Sequence, residues 1–458
     1  MINLNTYIHG TIKLGDCERT FDFKNNRIFI HPTQEEKDYF GNLFTSPRDW
    51  KKHECLVGIT YDEHLIYFID VVVVKEVNIY YGYPKAYIIS KSNTIDWNYD
   101  ILNFKKIKLK SNAIDSLQNI AYTHKLKHFL IEKETNTDIG NIIKNFKITQ
   151  GNCELITGYD FITKDYKDRI EITSSLNCSL KASTSLFDIY QIVNKINEVF
   201  KFIFNRSNIA FSSIKLESVP TEVKDSIDNT SKLVSFSATM YLLNQTNEIP
   251  TRSINHMIDP ILNNFNSLME VVNKEIISYY PKDDKDFTYV DVEKFIKVCG
   301  TFEREFDDCF PDYLETNEPN YNFVKEKLLN YLDKLDKELN GKNGSARKKI
   351  SSFKDTIVNM NEKLEKRLNY AFNEFAYCLQ SRFEDYCRRN KLTEITFKDV
   401  CSSFANKRNK YVHTFNDLGF SKEEIAGFVV VRELIYCMVL KQAGFTNKEI
   451  EQMINIFQ

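Results

Sequence analysis

Ser421-Lys422-Glu423-Glu424-Ile425-Ala426-Gly427-Phe428-Val429-Val430-Val431-Arg432-Glu433-Leu434-Ile435-Tyr436-Cys437-Met438-Val439-Leu440 reads as a helix that starts at a cap and is almost wholly apolar along its length. Ser421 and Glu424 form a capping box: hydroxyl and carboxylate each accept from a backbone N–H that the first turn leaves without a partner. The apolar run 428–440 is interrupted by Arg432 and Glu433, and no run in the chain approaches the length of a membrane span. Such a segment belongs among other helices, and a bundle is the natural packing.

The same signals continue on both sides. Thr446 and Glu449 form a second capping box for a helix over 448–457, and Thr396 precedes one over 397–415. Upstream, apolar residues spaced by three or four (Ile357, Met360, Leu364, Leu368, Ala371, Phe375, Leu379, Phe383, Tyr386) predict one long helix from about 354 to 387. Further helices are expected over 254–276 and over 323–339, the latter stopped by Gly341-Lys342-Asn343-Gly344.

Before residue 251 the period changes. Short segments rich in Ile, Val, Tyr and Phe predict strands over 7–14, 55–61, 65–74, 78–81, 85–89, 104–109, 169–173, 208–216 and 233–243. Gly82-Tyr83-Pro84 punctuates two of them, and one helix is expected near 186–204. The fold class is therefore α+β and multidomain. A β-rich region, 1–250, forms a sandwich or a curved sheet, and an all-α helical bundle, 251–458, follows it. The composition shift at Glu248-Ile249-Pro250 marks the boundary.

Composition bounds the function. A chain of 458 residues with 42% hydrophobic and 27% charged residues is globular, not disordered or fibrous. The 61 basic and 63 acidic residues exclude a global basic field of the kind that coats DNA. Their distribution is uneven: 251–340 is acidic by 8 charges and 341–413 is basic by 8. The basic clusters Arg347/Lys348/Lys349, Arg388/Arg389/Lys391 and Lys407/Arg408/Lys410 are either a solvated face or a polyanion site. Ten cysteines show no zinc spacing, and the first residues lack a secretory signal, so a reduced, cytoplasmic protein is expected.

One motif carries chemistry: Arg408-Asn409-Lys410-Tyr411-Val412-His413. His413 is the only histidine after residue 256, so it is the helical half's candidate imidazole. On an ideal helix Asn409 and His413 are about 40° apart and Arg408 and His413 about 140° apart. Arg408 follows the apolar line of Phe404, Tyr411 and Phe415, an unusual place for a guanidinium without an anionic partner. These residue types suit RNA cleavage by the RNA's own 2′-hydroxyl. Imidazole titrates near neutrality, arginine binds phosphate oxygens in a planar fork, and an amide orients either group. That mechanism needs no metal or cofactor. A second Arg-x4-His, from Arg48 to His53, follows Pro47 in what reads as a loop and is set aside.

The C-terminal half resembles the HEPN superfamily of helical domains, whose nuclease members carry Arg, four to six residues and then His. The β-rich layout in front of it resembles the ApeA family of bacterial anti-phage proteins. The resemblance implies an endoribonuclease of the abortive-infection type, acting on RNA such as tRNA. Arg408 would bind the scissile phosphate, His413 would act as acid or base, and Asn409 would position them. It also implies a homodimer through the helical domain, in which a partner's residues across a two-fold axis complete each site. An unknown phage-derived trigger would be sensed by the N-terminal domain. Lys407, Lys410, Arg388 and Arg389 would be auxiliary RNA contacts.

The alternative is a non-catalytic helical module that dimerises or binds RNA or a ligand. Asp291-Val292-Glu293-Lys294 is weak as a metal-nuclease element because it opens a helical pattern, and Gly344-Ser345 lacks the acidic pair of a nucleotidyltransferase. Tyr80, Tyr81, Tyr83 and Tyr87, at strand spacing, fit cross-strand pairs better than a ligand platform.

Overall fold

The computed structural model describes residues 7–34, 50–76, 79–90, 104–117, 146–150, 153–166, 169–180, 184–218, 221–224, 231–234, 237–243, 254–282, 286–313, 319–339, 344–358, 364–392, 395–413 and 419–456. The chain divides into two compact units, Met1–Glu270 and Val271–Gln458.

The first unit is built on one thirteen-stranded sheet, where the sequence predicts a sandwich or a curved sheet. Six strands come first: β1 (Ile8–Leu14), β2 (Cys17–Lys24), β3 (Arg27–Ile30), β4 (Trp50–Thr60), β5 (Leu65–Glu76) and β6 (Ile79–Tyr83). Their order is β4-β1-β2-β3-β6-β5, and β5 pairs back onto β4, so this part closes into a barrel. Closure removes the free edges that an open sheet would present.

Alternation explains the barrel interior. Ile12, Phe21, Phe23, Ile28, Ile30, Ile66 and Phe68 point inward and are buried, while His9, Thr20, Asp22 and Phe29 take the intervening positions. The β2–β3 hairpin turns on Asn25-Asn26, both at positive φ, the two-residue turn whose twist matches the strands. Gly10 is required where β1 crosses β4: a Cβ there would lie 2.0 Å from the Ile59 carbonyl oxygen. Asp70, at φ 50°, kinks β5 where its partner changes from β7 (Ala86–Ser90) to β6. Pro84 separates those two strands, as Gly82-Tyr83-Pro84 suggested.

The sheet continues from β7 through β15 (Ser237–Leu242), β12 (Ser213–Ser218), β8 (Phe104–Lys110), β11 (Arg169–Leu180) and β10 (Cys153–Tyr166) to β9 (Phe146–Gln150). A separate ribbon pairs β13 (Thr221–Lys224) with β14 (Ser231–Val234). A short helix, α1, spans Asn112–Leu117. The expected helix is α2 (Leu186–Ile203), started by the Ser185 cap and buried along Ile189, Val193, Ile196, Val199 and Phe200. Tyr87 stacks on Tyr241 and Tyr81 meets Phe29 edge to face, so these tyrosines form cross-strand pairs.

The helix expected over 254–276 is three short ones: α3 (Ile258–Asn263), α4 (Phe265–Val271) and α5 (Lys274–Ser278). Asn273 caps α5 through its side chain, which restarts the helix. Phe265 packs edge to face on Phe200 of α2, and the Ile254 N–H donates to Ser116 O. Those contacts put α3 and most of α4 in the first unit, so the division falls twenty residues after the change of period at 250.

The second unit is helical: α6 (Val292–Cys309), α7 (Pro319–Glu338), α8 (Gly344–Val358), α9 (Leu364–Glu374), α10 (Ala376–Arg389), α11 (Phe397–His413), α12 (Lys422–Gln442) and α13 (Asn447–Asn455). α12 is the apolar segment that opened the sequence reading. Every residue from Ala426 to Leu440 is buried, including Arg432 and Glu433, with α6, α10, α11 and α13 against it. Both capping boxes form as read. The single long helix expected over 354–387 does not: Phe375 leaves helical geometry between α9 and α10, and 359–363 lie outside the described residues. The break lets α9 pack on α11 and α10 on α12 and α13, which one straight helix does not reach. Among the described residues no helix is long and apolar enough to cross a membrane.

Candidate functional site

The motif lies on α11. Thr396 caps the helix through a hydroxyl that accepts from the Asp399 N–H, and the Asp399 carboxylate returns a bond to the Thr396 N–H. Val400, Cys401, Phe404, Ala405 and Tyr411 are buried, which fixes the rotation of α11 against α6 and α12. The α12 approach is close because of Gly427, where a Cβ would lie 3.0 Å from the Phe404 ring. Phe404 and Tyr411 also pack on Phe295 of α6.

This rotation places Arg408 at the edge of the α6 contact, half-buried. Its Nη2 donates to Glu303 of α6, 3.2 Å from Oε1 and 3.5 Å from Oε2. Nη1 reaches the Asn409 side-chain oxygen at 3.4 Å. The anionic partner anticipated for Arg408 is therefore present, and it is itself half-buried, not sealed in the core. Only one guanidinium nitrogen is engaged by a carboxylate among the described residues. Nε makes no hydrogen bond there, and Nη1 is held only by the neutral Asn409 oxygen. The backbone of His413 ends α11, while its side chain lies outside the described residues, as do 414–418.

The four auxiliary cations fall into two groups. Lys407 is buried, against the expectation of an RNA contact. Its ammonium lies 3.2 Å from Glu424 Oε2, donates to the Gly419 carbonyl at 2.8 Å, and sits over the rings of Tyr411 and Phe420. Lys407 thus ties α11 to the capping box of α12 and is spent on that structural role. Lys410, Arg388 and Arg389 are exposed. The two arginines end α10 and flank Asp385, at 2.5 Å and 4.0 Å. No described contact joins them to Arg408.

Glu303 has no local sequence signal, since it stands 105 positions before Arg408. The opposite charges of 251–340 and 341–413 point to it in aggregate. Arg408–Glu303, Arg367–Asp307, Lys354–Asp333 and Arg347–Asp336 all join the basic segment to the acidic one, at 2.8–3.2 Å. Four of the sixteen basic residues of 341–413 are therefore paired with the acidic segment inside the unit.

The set-aside second motif is also placed. His53 lies in β4, not in a loop, where burial and then Lys51 lower its pKa; Arg48 lies outside the described residues. Asp291 is the N-cap of α6, accepting from the Lys294 N–H at 2.7 Å, which accounts for Asp291-Val292-Glu293-Lys294 structurally. Among the described residues no group of three His, Cys, Asp or Glu side chains is arranged to hold a metal ion. Compared with family models, with curated proteins and with solved structures, the chain has no significant match.

Proposed function

We propose that the protein is an endoribonuclease whose helical unit cleaves RNA by attack of the 2′-hydroxyl on the adjacent phosphate. The products would carry 2′,3′-cyclic phosphate and 5′-hydroxyl ends. The observation that supports this reading is Arg408: a half-exposed guanidinium oriented from behind by Glu303, beside Asn409 and on the same helix as His413. In this reading Arg408 binds the phosphate and stabilises the charge gathering there, and His413 moves the proton. Asn409 and Glu303 are positioning residues. The angular separation of Arg408 and His413 is met by pairing two chains about a two-fold axis, so that residues from both line one cleft. Following the family resemblance, the setting is HEPN-type anti-phage defence in the cytoplasm, with the β-rich unit restraining the nuclease until a trigger arrives.

A second reading is favoured by the same ion pair. Arg408–Glu303 also ties α6 to α11, as a structural pair in a non-catalytic binding module would. His413→Ala separates the two: loss of RNA cleavage by a folded variant supports the nuclease. If phage-exposed cells expressing the wild type and those expressing the variant survive equally well, the binding module stands instead.

A further inference from the structure

Four lysines share one face of two neighbouring strands of the thirteen-stranded sheet. On β8, Lys106, Lys108 and Lys110 alternate with the buried Ile107 and Leu109, and on β12 Lys215 lies between the buried Ile214 and Leu216. Register sets Lys215 directly opposite Lys108, with Glu217 opposite Lys106 and Ser213 opposite Lys110. In the same rows β11 adds Asn177 and Ser179, and β15 adds Thr239 and Ser237. Lys106, Lys215, Ser179 and Ser237 are exposed, so this face looks to solvent while the opposite face carries the core.

The arrangement breaks two rules of sheet construction. Lysine is disfavoured in strands, and like charges directly opposite each other, with Cβ atoms about 5 Å apart, repel. Lysines that guard a sheet edge against pairing are the usual exception. They do not apply here, because β8 lies between β12 and β11, and β12 between β8 and β15. Nor do carboxylates in these rows balance the lysines. Glu217 lies 3.8 Å from Lys106, with both side chains nearly half exposed. Farther out, the register adds Asp160 on β10 and, offsetting it, Lys147 on β9. A local cost kept without an internal gain points to a surface kept for a partner.

From this face we infer that the β-rich unit binds RNA through its phosphates, at a site separate from Arg408 and His413. Charge density selects the partner. Along β8 the three lysines recur every second residue, about 6.7 Å apart, and Lys215 adds a fourth one strand away. A nucleic-acid strand carries a charge at every residue, one per about 3.4 Å of helix axis. Carboxylates scattered over a folded protein do not match that linear density. Asn177, Ser179, Ser213 and Thr239, beside the lysines, are of the types that hydrogen-bond phosphate and sugar oxygens. Lysine meets phosphate as a point charge, so the face takes RNA with little regard to sequence. The choice of RNA as the nucleic acid rests on the nuclease reading; the phosphate contact does not.

The test is fluorescence anisotropy of a labelled single-stranded 2′-O-methyl RNA titrated with the full chain at several salt concentrations. This RNA lacks the free 2′-hydroxyl that the proposed cleavage needs, so binding is read whether or not the chain is a nuclease. Salt-sensitive binding is expected. Lys108→Gln/Lys215→Gln is expected to weaken it roughly 10- to 100-fold, since two charged hydrogen bonds are lost. The slope of log affinity against log salt should become shallower by about 1.4. The same variant is expected to unfold at or above the wild-type temperature, because it removes a like-charge pair. Should it fail to fold, Lys106→Gln and Lys215→Gln, both exposed, decide singly. Lys13→Gln/Lys85→Gln, exposed and outside these rows, is expected to bind within about twofold of wild type. No binding at about 50 mM salt overturns the inference. So does a folded Lys108→Gln/Lys215→Gln protein that binds within about twofold of wild type. Polyglutamate that displaces the RNA at equal charge also overturns it, and identifies an acidic polypeptide as the partner.

Discussion

Glu303 distinguishes a residue that aims Arg408 from one that merely joins two helices. The Arg408–Glu303 pair is half-exposed and uses one guanidinium nitrogen, at 3.2 and 3.5 Å. Solvent screens such a pair, so its loss costs stability by roughly 0.2–1 kcal/mol. For a unit of this size that shifts the unfolding midpoint by no more than about 4 °C. The cost to cleavage follows a different rule. Without Glu303 the guanidinium is free to swing, and a misplacement of about 1 Å at a reacting centre costs on the order of 10²-fold. Glu303→Ala is therefore expected to lower kcat/KM for RNA roughly 10- to 100-fold while the protein stays folded. Glu303→Gln keeps an acceptor oxygen and is expected to recover part of that loss. Thermal unfolding by circular dichroism and cleavage kinetics on one preparation give both numbers. A folded Glu303→Ala protein that cleaves within about twofold of wild type would refute the positioning role, and the pair would then be only a helix tie.

Two further outcomes follow from the same reasoning about partners. Glu424 closes the α12 capping box and also faces the buried Lys407, at 3.2 Å, whereas Glu449 closes only an exposed box on α13. Glu424→Ala is expected to destabilise by about 3 kcal/mol, because it also takes the carboxylate from a buried ammonium, against about 1 kcal/mol for Glu449→Ala; equal losses in denaturant melts would contradict the tie. Burial tends to raise the Asp22 pKa, but hydrogen bonds from His31 and His9 outweigh it and hold the carboxyl below its ordinary value of 3.8. A carboxyl depressed in the folded state contributes stability above its unfolded pKa and loses it as pH falls through the folded one. Asp22→Asn should therefore flatten the decline of stability below about pH 4, and an unchanged acid limb would count against the cluster.

How far the sequence reveals the structure depends on how local each signal is. The caps at Ser421, Thr446 and Thr396 are four-residue patterns, and each starts a helix where it was read. β2 has inward residues Phe21 and Phe23 alternating with polar Thr20 and Asp22, too few apolar positions to stand out. The Asn25-Asn26 turn was the readable clue to that hairpin. The break at Phe375 leaves no trace in the heptad-like spacing, because α9 and α10 carry their apolar stripes in phase and only their different neighbours part them. Barrel closure through β4 and β5 and the Arg408–Glu303 pair are long-range contacts, set by the packing of whole elements. The burial of Lys407 is long-range for the same reason. A lysine in a basic cluster looks solvated until α12 brings Glu424 and Phe420 to it.

The most direct test of the central claim is cleavage of total RNA and tRNA by purified wild type, Arg408→Ala and His413→Ala, with EDTA present and the RNA ends identified. The account predicts cuts by the wild type bearing 2′,3′-cyclic phosphate and 5′-hydroxyl ends. Both folded variants should lose them by at least about 10²-fold, the scale of general acid–base catalysis. Cuts with other end groups, or cuts that persist in His413→Ala, would contradict it.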